Sequence, residues 1–275
     1  MYEQIGKIVI INVKGKPKIK ELKELKALAK KLLSEHRHIE AIFLKQEKVK
    51  GRLRKASYKL LAGKPVYETL YRENGCTFKL NIKDVYFSSR LASNRLWLAQ
   101  KIVELVKQKK KQRPKILVQF AGIGVYGIVI ARQLAQAGFD FDMVMIELNR
   151  KAVKYMKENI LLNHFPNIEC IQGDVKKILP KLNKLSKLGI DKFDFIVMPR
   201  PKLDYDFFKE AFINAKKGSI VFYFDFVGED EIAREKEKLE EKARKLGKKI
   251  KFLELKKAGQ IGTRRWRIAA VFEVC

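Results

Sequence analysis

The chain has 275 residues, and its 60 Lys and Arg against 31 Asp and Glu give a formal net charge of +29. This length fits one large domain or two smaller ones and allows a substantial buried core. The unbalanced basic excess favours a polyanionic partner such as a nucleic acid, because Lys and Arg displace counterions from phosphates. The alternative is a lysine-rich or thermophilic source, although Lys and Glu then rise together.

Membrane and metal-binding classes are not favoured by the sequence. No apolar run reaches the length of a membrane span, and the N-terminus lacks the pattern of a signal peptide. Cys76, Cys170 and Cys275 have neither the spacing of a metal site nor that of a disulfide framework. We therefore expect a cytoplasmic, monomeric protein with no metal and no membrane partner.

The first 84 residues predict a small α+β domain. Residues 18–35 place leucines at helical spacing with lysines on the opposite face. Strands are predicted at residues 8–13, 41–44, 66–71 and 77–82, the last two paired around a turn at 73–75.

A basic segment at residues 48–64 carries Arg52, Arg54 and Lys55 and is interleaved with Tyr58. Such a segment can follow a phosphate backbone while its tyrosine stacks on a base, so these three cations are predicted RNA-binding residues. The alternative is a solvated charged hairpin.

A predicted helix at residues 91–108 ends in a run of charge and Pro114, which marks a boundary and makes 85–114 a connecting segment. From residue 115 to 275, short apolar strands alternate with helices. Strands are predicted at 116–118, 141–147, 168–171, 194–198, 219–224, 250–255 and 266–274, and helices at 128–134, 151–162, 205–215 and 229–246. This alternation predicts an α/β domain with a doubly wound, mostly parallel sheet.

A glycine turn follows the first strand of this domain and precedes a helix. Gly122 and Gly124 form it, and Glu147 ends the next strand, 25 residues after Gly122. Such a turn brings backbone N–H groups close to a ligand, and an acid near this spacing can hold a ribose diol. The pattern predicts a nucleoside-cofactor site, although glycines also make ordinary turns.

Two further strands end in polar or unusual residues, Asp174 and the stretch Pro199-Arg-Pro-Lys202. Ligands bind at the carboxyl ends of strands in such sheets, so we expect these residues on the same edge as Gly122 and Glu147.

Six stretches carry a family resemblance. They are Arg72-Glu-Asn-Gly-Cys-Thr-Phe78, Val85-Tyr-Phe-Ser-Ser-Arg-Leu-Ala-Ser-Asn-Arg95, Phe120-Ala-Gly-Ile-Gly124, Ile146-Glu-Leu-Asn-Arg-Lys-Ala152, Gly173-Asp-Val175 and Pro199-Arg-Pro-Lys202. Together they resemble the archaeal tRNA guanosine-37 N1-methyltransferase family, which overlaps with wybutosine-pathway enzymes, over nearly the whole chain from Ile8. The resemblance implies a class I methyltransferase domain that uses S-adenosylmethionine, with a smaller N-terminal domain that helps hold the tRNA at its anticodon loop.

The same resemblance implies a cofactor pocket in which Glu147 takes the ribose and Asp174 faces the adenine. The expected cofactor-binding residues are Tyr86, Arg90, Phe120, Gly122, Gly124, Glu147, Leu148, Asp174 and Val175.

This chain departs from the family at several motifs. Asn94 stands where the family has a glutamate that is its proposed general base, and Pro199 stands where an asparagine helps hold the target guanine. Val118 stands where an aspartate is usual. Family members also usually carry an extra N-terminal domain, and this chain is expected to start after it.

These departures concern the loss of the guanine N1 proton, because a neutral amide cannot accept a proton as a carboxylate can. The expected catalytic residues are Arg90, Asn94, Arg95 and Pro199, with the arginines stabilising charge on guanine O6. The arginines can equally form a clamp for phosphate or carboxylate. Candidate replacement bases are Asp204, Asp206 and Asp225, and Arg200 and Lys202 complete the expected RNA-binding residues.

The sequence therefore predicts an S-adenosylmethionine-dependent tRNA methyltransferase that modifies the purine at position 37, with a wybutosine precursor as a possible second acceptor. The alternatives are a homologue that binds tRNA without turnover, and transfer of the aminocarboxypropyl group of the cofactor.

Overall fold

The structure, a computed structural model, describes residues 2–13, 15, 17–46 and 56–275. The chain forms two compact units, Met1–Ala92 and Ser93–Cys275. The division expected from the sequence, at residues 84 and 114, differs from this one because residues 85–92 stay with the first unit. The predicted RNA-binding residues Arg52, Arg54 and Lys55 lie outside the described residues.

In the first unit, the described residues form a four-stranded sheet, a long helix and a hairpin. Its elements are β1 (Tyr2–Ile5), β2 (Ile8–Ile11), α1 (Ile19–Glu35), β3 (Ala41–Lys45), β4 (Tyr58–Gly63), β5 (Glu68–Glu73) and β6 (Cys76–Asn81). The sheet order is β1-β2-β3-β4, and the β2–β3 pair is parallel because α1 connects its strands. Helix α1 buries Ala29 against a small apolar core that includes Val9 and Ile42.

The predicted strands and helix of this unit are confirmed, but β1 and β4 were not predicted. Strand β4 lies in the basic segment, where half-exposed side chains hide the alternation of a strand. Its Tyr58 packs edge-on against Phe43, with ring centroids 6.3 Å apart, and burial raises the pKa of the Tyr58 hydroxyl to about 12. Tyr58 is therefore a packing residue in part, rather than a freely exposed stacking surface.

The hairpin of β5 and β6 closes through the predicted turn. Glu73 pairs with Cys76 across the turn, and the two turn residues Asn74 and Gly75 have φ angles of +50° and +72°. Asn-Gly is the dipeptide that tolerates two successive positive φ angles best, so the sequence determines this turn directly.

The second unit is built on a seven-stranded sheet. Its strands are β7 (Lys115–Gln119), β8 (Asp142–Glu147), β9 (Ile168–Gln172), β10 (Phe193–Met198), β11 (Ala215–Gly228), β12 (Ile250–Gly262) and β13 (Arg265–Val274). Its helices include α2 (Ala92–Gln108), α3 (Val125–Gln136), α4 (Arg150–Leu162), α5 (Val175–Ile178), α6 (Leu182–Leu185) and α7 (Glu235–Lys245).

The sheet order is β12-β13-β11-β10-β7-β8-β9. Strands β7 to β11 are parallel, whereas β13 is antiparallel to both of its neighbours. The chain runs from β7 towards β9 and then returns to β10 on the other side of β7, so the order reverses between β7 and β10. Such a switch point opens a crevice at the carboxyl ends of the strands.

One predicted helix, at residues 205–215, is wrong. The segment contains a single 3₁₀ turn at Lys209–Ala211, and β11 already begins at Ala215. Phe207 has a φ of +57°, which no right-handed helix accommodates, and both Phe207 and Phe208 are buried. The apolar spacing that resembled a helix instead places aromatic rings in the core.

Helix α3 lies unusually close to the sheet at Gly127. A Cβ atom on Gly127 would stand 2.9 Å from Sδ of Met143 and closer still to Sδ of Met145, both on β8. Glycine is therefore required here by the approach of helix to strand, since its backbone conformation is that of an ordinary helix.

We expect Gly127→Ala to destabilise the protein by about 1–3 kcal/mol, although alanine is normally favoured over glycine inside a helix. The cause is the overlap with the two methionines, so the loss should shrink when Met145→Ala is combined with it. Urea denaturation of the four proteins of this double-mutant cycle measures both effects. A stabilised Gly127→Ala protein would contradict the close packing.

Candidate active site

The turn between β7 and α3 uses two glycines for different reasons. Gly122 has a φ of +58° and Gly124 a φ of +89°. A Cβ atom on Gly122 would meet nothing within 4 Å, so this residue faces open space. A Cβ atom on Gly124 would lie 3.1 Å from Cγ of Met156. Gly122 thus leaves room for a ligand, and Gly124 lets the turn pack on the domain.

Gly127 completes the spacing G-x-G-x-x-G that begins at Gly122. Sequence reasoning used the first two glycines and missed the third, although its position three residues after Gly124 is the remaining element of the dinucleotide-binding pattern. The three glycines serve the turn, the approach of a ligand and the packing of the helix.

Glu147, at the end of β8, is held beside this turn. Its Oε2 accepts a hydrogen bond of 2.8 Å from the Gly122 N–H, and its Oε1 accepts one of 2.8 Å from the Asn149 N–H. Burial raises the pKa of the carboxyl above its ordinary value, and these backbone donors act in the opposite direction. The structure therefore brings together Gly122 and Glu147, as their spacing predicts.

Asp174 lies at the end of the next strand along the edge. Its side chain caps α5 by accepting from the Lys176 N–H at 3.1 Å. The preceding Gly173 donates its N–H to the Glu147 carbonyl at 2.9 Å, so the two strand ends are joined directly. Val175 is buried in the core and Leu148 is half-buried.

Phe120 has a strained backbone conformation, and its ring packs against other aromatic rings. Its φ is +55°, in a region that non-glycine residues seldom adopt. Its ring meets that of Phe207 edge-on, with centroids 4.8 Å apart, and Phe207 meets Tyr205 at the same distance. This row of rings forms one wall of the edge where β7 and β10 end.

Asn159, on α4, holds the glycine turn through a hydrogen bond to its backbone. It is fully buried on α4, and its Nδ2 donates to the Ile123 carbonyl at 3.0 Å. Sequence reasoning missed it because one asparagine within an amphipathic helix carries no distinct signal. Its contact shows that α4 fixes the position of the backbone on which any ligand at Gly122 depends.

The first turn of α2 carries Asn94 and Arg95. The Asn94 Nδ2 donates to the Ala258 carbonyl on β12 at 2.8 Å. Arg95 is buried, and its guanidinium carbon lies 5.9 Å from the ring centroid of Tyr126, in the first turn of α3. Both expected catalytic residues in this helix therefore take part in contacts within the second unit.

Arg200 does not occupy the exposed position that an RNA contact would need. It is buried and forms an ion pair with Asp225 on β11, which is buried as well. A guanidinium with a buried carboxylate partner would have to break that pair before it could bind phosphate. Half-buried Pro199 precedes it, and Lys202 is exposed.

Two of the candidate bases are already engaged. Asp225 accepts from Arg200 and from the Phe226 N–H. Burial by itself would raise the pKa of Asp206, but the hydrogen bonds from Lys242 and the Phe208 N–H outweigh it and lower the pKa. The Asp206 carboxylate is thus stabilised as an anion, which makes it a weak base, and Asp225 is occupied by its ion pair with Arg200.

Tyr86 and Arg90 belong to the first unit, where both are exposed. The segment around them is fixed by Glu3, whose Oε1 accepts from the Ser89 N–H at 2.7 Å and from the Ser88 and Ser89 hydroxyls. Glu3 was not predicted, because its partners lie more than 80 residues further along the chain.

Two negative findings apply to residues 2–13, 15, 17–46 and 56–275. No group of His, Cys, Asp and Glu there is arranged to hold a metal ion. None of the helices within these residues is long and apolar enough to cross a membrane.

We expect Asn159→Ala to destabilise the protein by about 1–3 kcal/mol, because it removes a buried donor and leaves the Ile123 carbonyl unpaired. Asn167→Ala is the matched control, since the Asn167 Nδ2 donates to the Phe141 carbonyl at 3.2 Å in a less buried place. Urea denaturation compares the two variants. An equal loss in the free energy of unfolding of the two variants would contradict a special contribution of the buried Asn159 to the turn.

Comparison with known proteins agrees with this architecture. A sequence profile described as the TRM5/TYW2 methyltransferase domain matches residues 69–252, and one described as the TYW2 N-terminal domain matches residues 1–66. A Nanoarchaeum equitans protein, named tRNA (guanine(37)-N(1))/4-demethylwyosine(37)-methyltransferase Taw22, is 32% identical over 97% of both chains. Trm5b of Pyrococcus abyssi, named a tRNA (guanine(37)-N(1))-methyltransferase, is 30% identical over 99% of this chain and 74% of its own.

The crystal structure of Pyrococcus abyssi Trm5b superposes with a TM-score of 0.75 at 28% identity, covering 100% of this chain and 74% of that one. The structure of Methanocaldococcus jannaschii TYW2 shares the fold, with a TM-score of 0.69 at 23% identity. The expected class I methyltransferase fold with a smaller N-terminal domain is confirmed. Because the domain profile spans more than half of the chain and a relative is 32% identical over nearly all of it, the protein belongs to the TRM5/TYW2 methyltransferase family.

Proposed function

We propose that this protein transfers a methyl group from S-adenosylmethionine to the purine at position 37 of tRNA. Membership of the TRM5/TYW2 family supports the reaction class. The names of the Nanoarchaeum and Pyrococcus relatives support N1 of guanosine 37 as the acceptor. The observation that carries the proposal is the hydrogen bond from the Gly122 N–H to the Glu147 carboxylate, because Gly122 also faces open space in which a ligand can lie.

The residues at the glycine turn fit a nucleoside cofactor. The Glu147 carboxylate keeps free lone pairs on both oxygens after its backbone contacts, and these can accept the two ribose hydroxyls. Gly122 lets a ligand approach the backbone at the start of α3. When bound there, S-adenosylmethionine would supply an electrophilic methyl group on its sulfonium.

The other expected cofactor contacts keep their assignments as proposals. Asp174, beside Glu147 on the edge, would face the adenine, with Val175 offering only its backbone because its side chain is buried. Phe120 would contribute a ring edge, and Leu148 would line the ribose end. Gly124 would act indirectly, because its positive φ determines the shape of the turn.

The acceptor side is proposed to use Asn94, Arg95 and the half-buried Pro199 of the second unit. The expected roles of Tyr86 and Arg90 stay predictions. The N1 nitrogen of guanine must lose its proton as its bond to the methyl carbon forms. Asn94 donates to Ala258 and has no basic group, so its role is to orient rather than to remove the proton. We propose that the proton leaves to water.

The tRNA is proposed to bind through Lys and Arg side chains. Lys202 keeps that role, as do Arg52, Arg54 and Lys55, while the formal charge of +29 supports a polyanionic partner in general. Arg200 is instead proposed to fix the segment after β10 through its ion pair with Asp225.

A second candidate reaction is transfer of the aminocarboxypropyl group of the same cofactor. The match of residues 1–66 to the TYW2 N-terminal domain favours it. The same match and the name of the Nanoarchaeum relative also favour a wybutosine precursor as a second methyl acceptor. Both reactions would use the same glycine turn, and they differ in which sulfonium carbon faces the acceptor.

The test is a mass-spectrometric inventory of nucleosides after incubation of the purified protein with S-adenosylmethionine and tRNA. The substrates are transcripts with guanosine or adenosine at position 37, and tRNA carrying 4-demethylwyosine there. We expect one added methyl group on guanosine 37. An added aminocarboxypropyl group would favour the second reaction, and tRNA that is bound but unchanged would contradict both.

We expect Gly122→Ala to abolish cofactor binding, because the new Cβ would project into the space proposed for the nucleoside. Gly138→Ala is a matched control, since Gly138 also has a positive φ, +78°, and open space around its Cα. Both variants should lose about 1–2 kcal/mol of stability from the left-handed backbone. Isothermal titration with S-adenosylmethionine compares the two variants, and equal affinities would contradict the placement of the nucleoside at Gly122.

We expect cofactor affinity to fall as the pH is lowered through the raised pKa of Glu147. A protonated carboxyl has lost acceptor capacity for the ribose hydroxyls, and burial makes it protonate at a higher pH than an ordinary glutamate. Glu147→Gln should bind weakly with a flat pH dependence, whereas Glu237→Gln, at an exposed position of α7, should behave like the unaltered protein. The measurement is isothermal titration from pH 7 downwards.

A further inference from the structure

Arg267, on β13, is a buried cation with an unused donor. Its side chain is 6% exposed, and its Nη1 donates to the Tyr126 hydroxyl at 3.2 Å. Its Nε finds no hydrogen-bond partner among the residues that the structure describes. A buried N–H of a charged group is costly to leave unpaired, so the unused Nε donor indicates a place for a ligand.

Arg267 lies beyond the carboxyl edge of the sheet. Met198, the last residue of β10, pairs with Tyr223, whereas Arg267 pairs with Phe226, three residues further along β11. Three residues of a strand span about 10 Å. The backbone of Arg267 therefore lies beyond the edge of the sheet at which the switch point between β7 and β10 opens.

The hydrogen bond to Tyr126 connects Arg267 with the glycine turn. Tyr126 is the second residue of α3, two positions after Gly124. Its hydroxyl accepts from Arg267 and still has its own proton to donate. The Arg267 Nε and the Tyr126 hydroxyl thus supply two hydrogen-bond donors next to the proposed methyl-donor site.

The local charge favours an anion. The guanidinium carbons of Arg267 and Arg95 lie 6.0 Å and 5.9 Å from the centroid of the Tyr126 ring, and both side chains are buried. Arg267 also lies 4.3 Å from the Phe224 ring centroid. The Arg267 guanidinium lies in a medium of low polarity, where a cation attracts a negative oxygen more strongly than it does in water.

We propose that Arg267, together with the Tyr126 hydroxyl, binds a negatively charged oxygen of a ligand in the active site. This assignment rests on the proposed function, which offers two such oxygens. One belongs to the carboxylate of S-adenosylmethionine. The other is O6 of the acceptor guanine, which gains negative charge as the N1 proton leaves to water, the N1–methyl bond forms and the methyl–sulfur bond breaks.

The first measurement compares two cofactors by isothermal titration. 5′-Methylthioadenosine shares the adenosine and the sulfur of S-adenosylmethionine but lacks the carboxylate. If that carboxylate is the ligand, Arg267→Met should weaken the binding of S-adenosylmethionine by about 10- to 100-fold and leave the affinity for 5′-methylthioadenosine unchanged. A purely structural role would weaken both ligands together.

The second measurement addresses the acceptor. If the ligand is O6, Arg267→Met should leave both affinities unchanged and slow single-turnover methylation of guanosine 37. The rate should then reach its plateau at a higher pH, because the N1 proton becomes harder to remove without a cation at O6.

Arg132→Met is the matched control. The Arg132 Nε is likewise without a partner among the described residues, and its guanidinium lies 5.2 Å from the Phe165 ring centroid. Arg267→Lys keeps the charge but not the planar fork, so it should fold and show a smaller effect of the same kind.

The assignment is overturned if both Arg267 variants match Arg132→Met in cofactor affinities and in the pH dependence of methylation, or if both cofactors weaken equally. If the unaltered protein bound neither S-adenosylmethionine nor tRNA, the proposed function itself would fail, and the assignment with it. The two failures are distinguished by the unaltered protein alone.

Discussion

The hydrogen bond from the Gly122 amide to the Glu147 carboxylate is the constraint on which the active site depends. It joins the ends of two neighbouring parallel strands. It also fixes the orientation of Gly122, the glycine of this turn at which an added Cβ would enter open space. The Gly173 amide extends the same connection to a third strand through the Glu147 carbonyl. One acidic residue therefore holds together the edge at which a nucleoside would bind, and burial keeps that residue poorly solvated.

Packing from both sides makes this edge rigid. Gly127 brings α3 against the methionines of β8, and the buried Asn159 holds the Ile123 carbonyl from α4. Phe120 and Phe207 both adopt positive φ angles and pack edge-on against one another. Such conformations persist only where surrounding contacts determine them, and they commonly occur at functional sites.

Much of this was predictable from the sequence, because the relevant signals are local. The alternation of apolar strands and helices predicts the sheet, and the spacing of Gly122 and Glu147 predicts their meeting. The signals that failed depend on tertiary contacts. Apolar spacing predicted a helix at residues 205–215, whereas core packing of Phe207 dictates another backbone. Arg200 read as an RNA contact because its partner Asp225 lies on a strand that joins it only in the fold.

The central claim is that the crevice at Gly122 holds the methyl donor with its ribose on Glu147. A crystal structure of the full chain grown with S-adenosylhomocysteine tests it most directly. The account predicts both ribose hydroxyls within hydrogen-bond distance of the Glu147 carboxylate, with the sulfur beyond Gly122 towards Tyr126. A nucleoside bound at another edge of the sheet, or a ribose that does not contact Glu147, would contradict it.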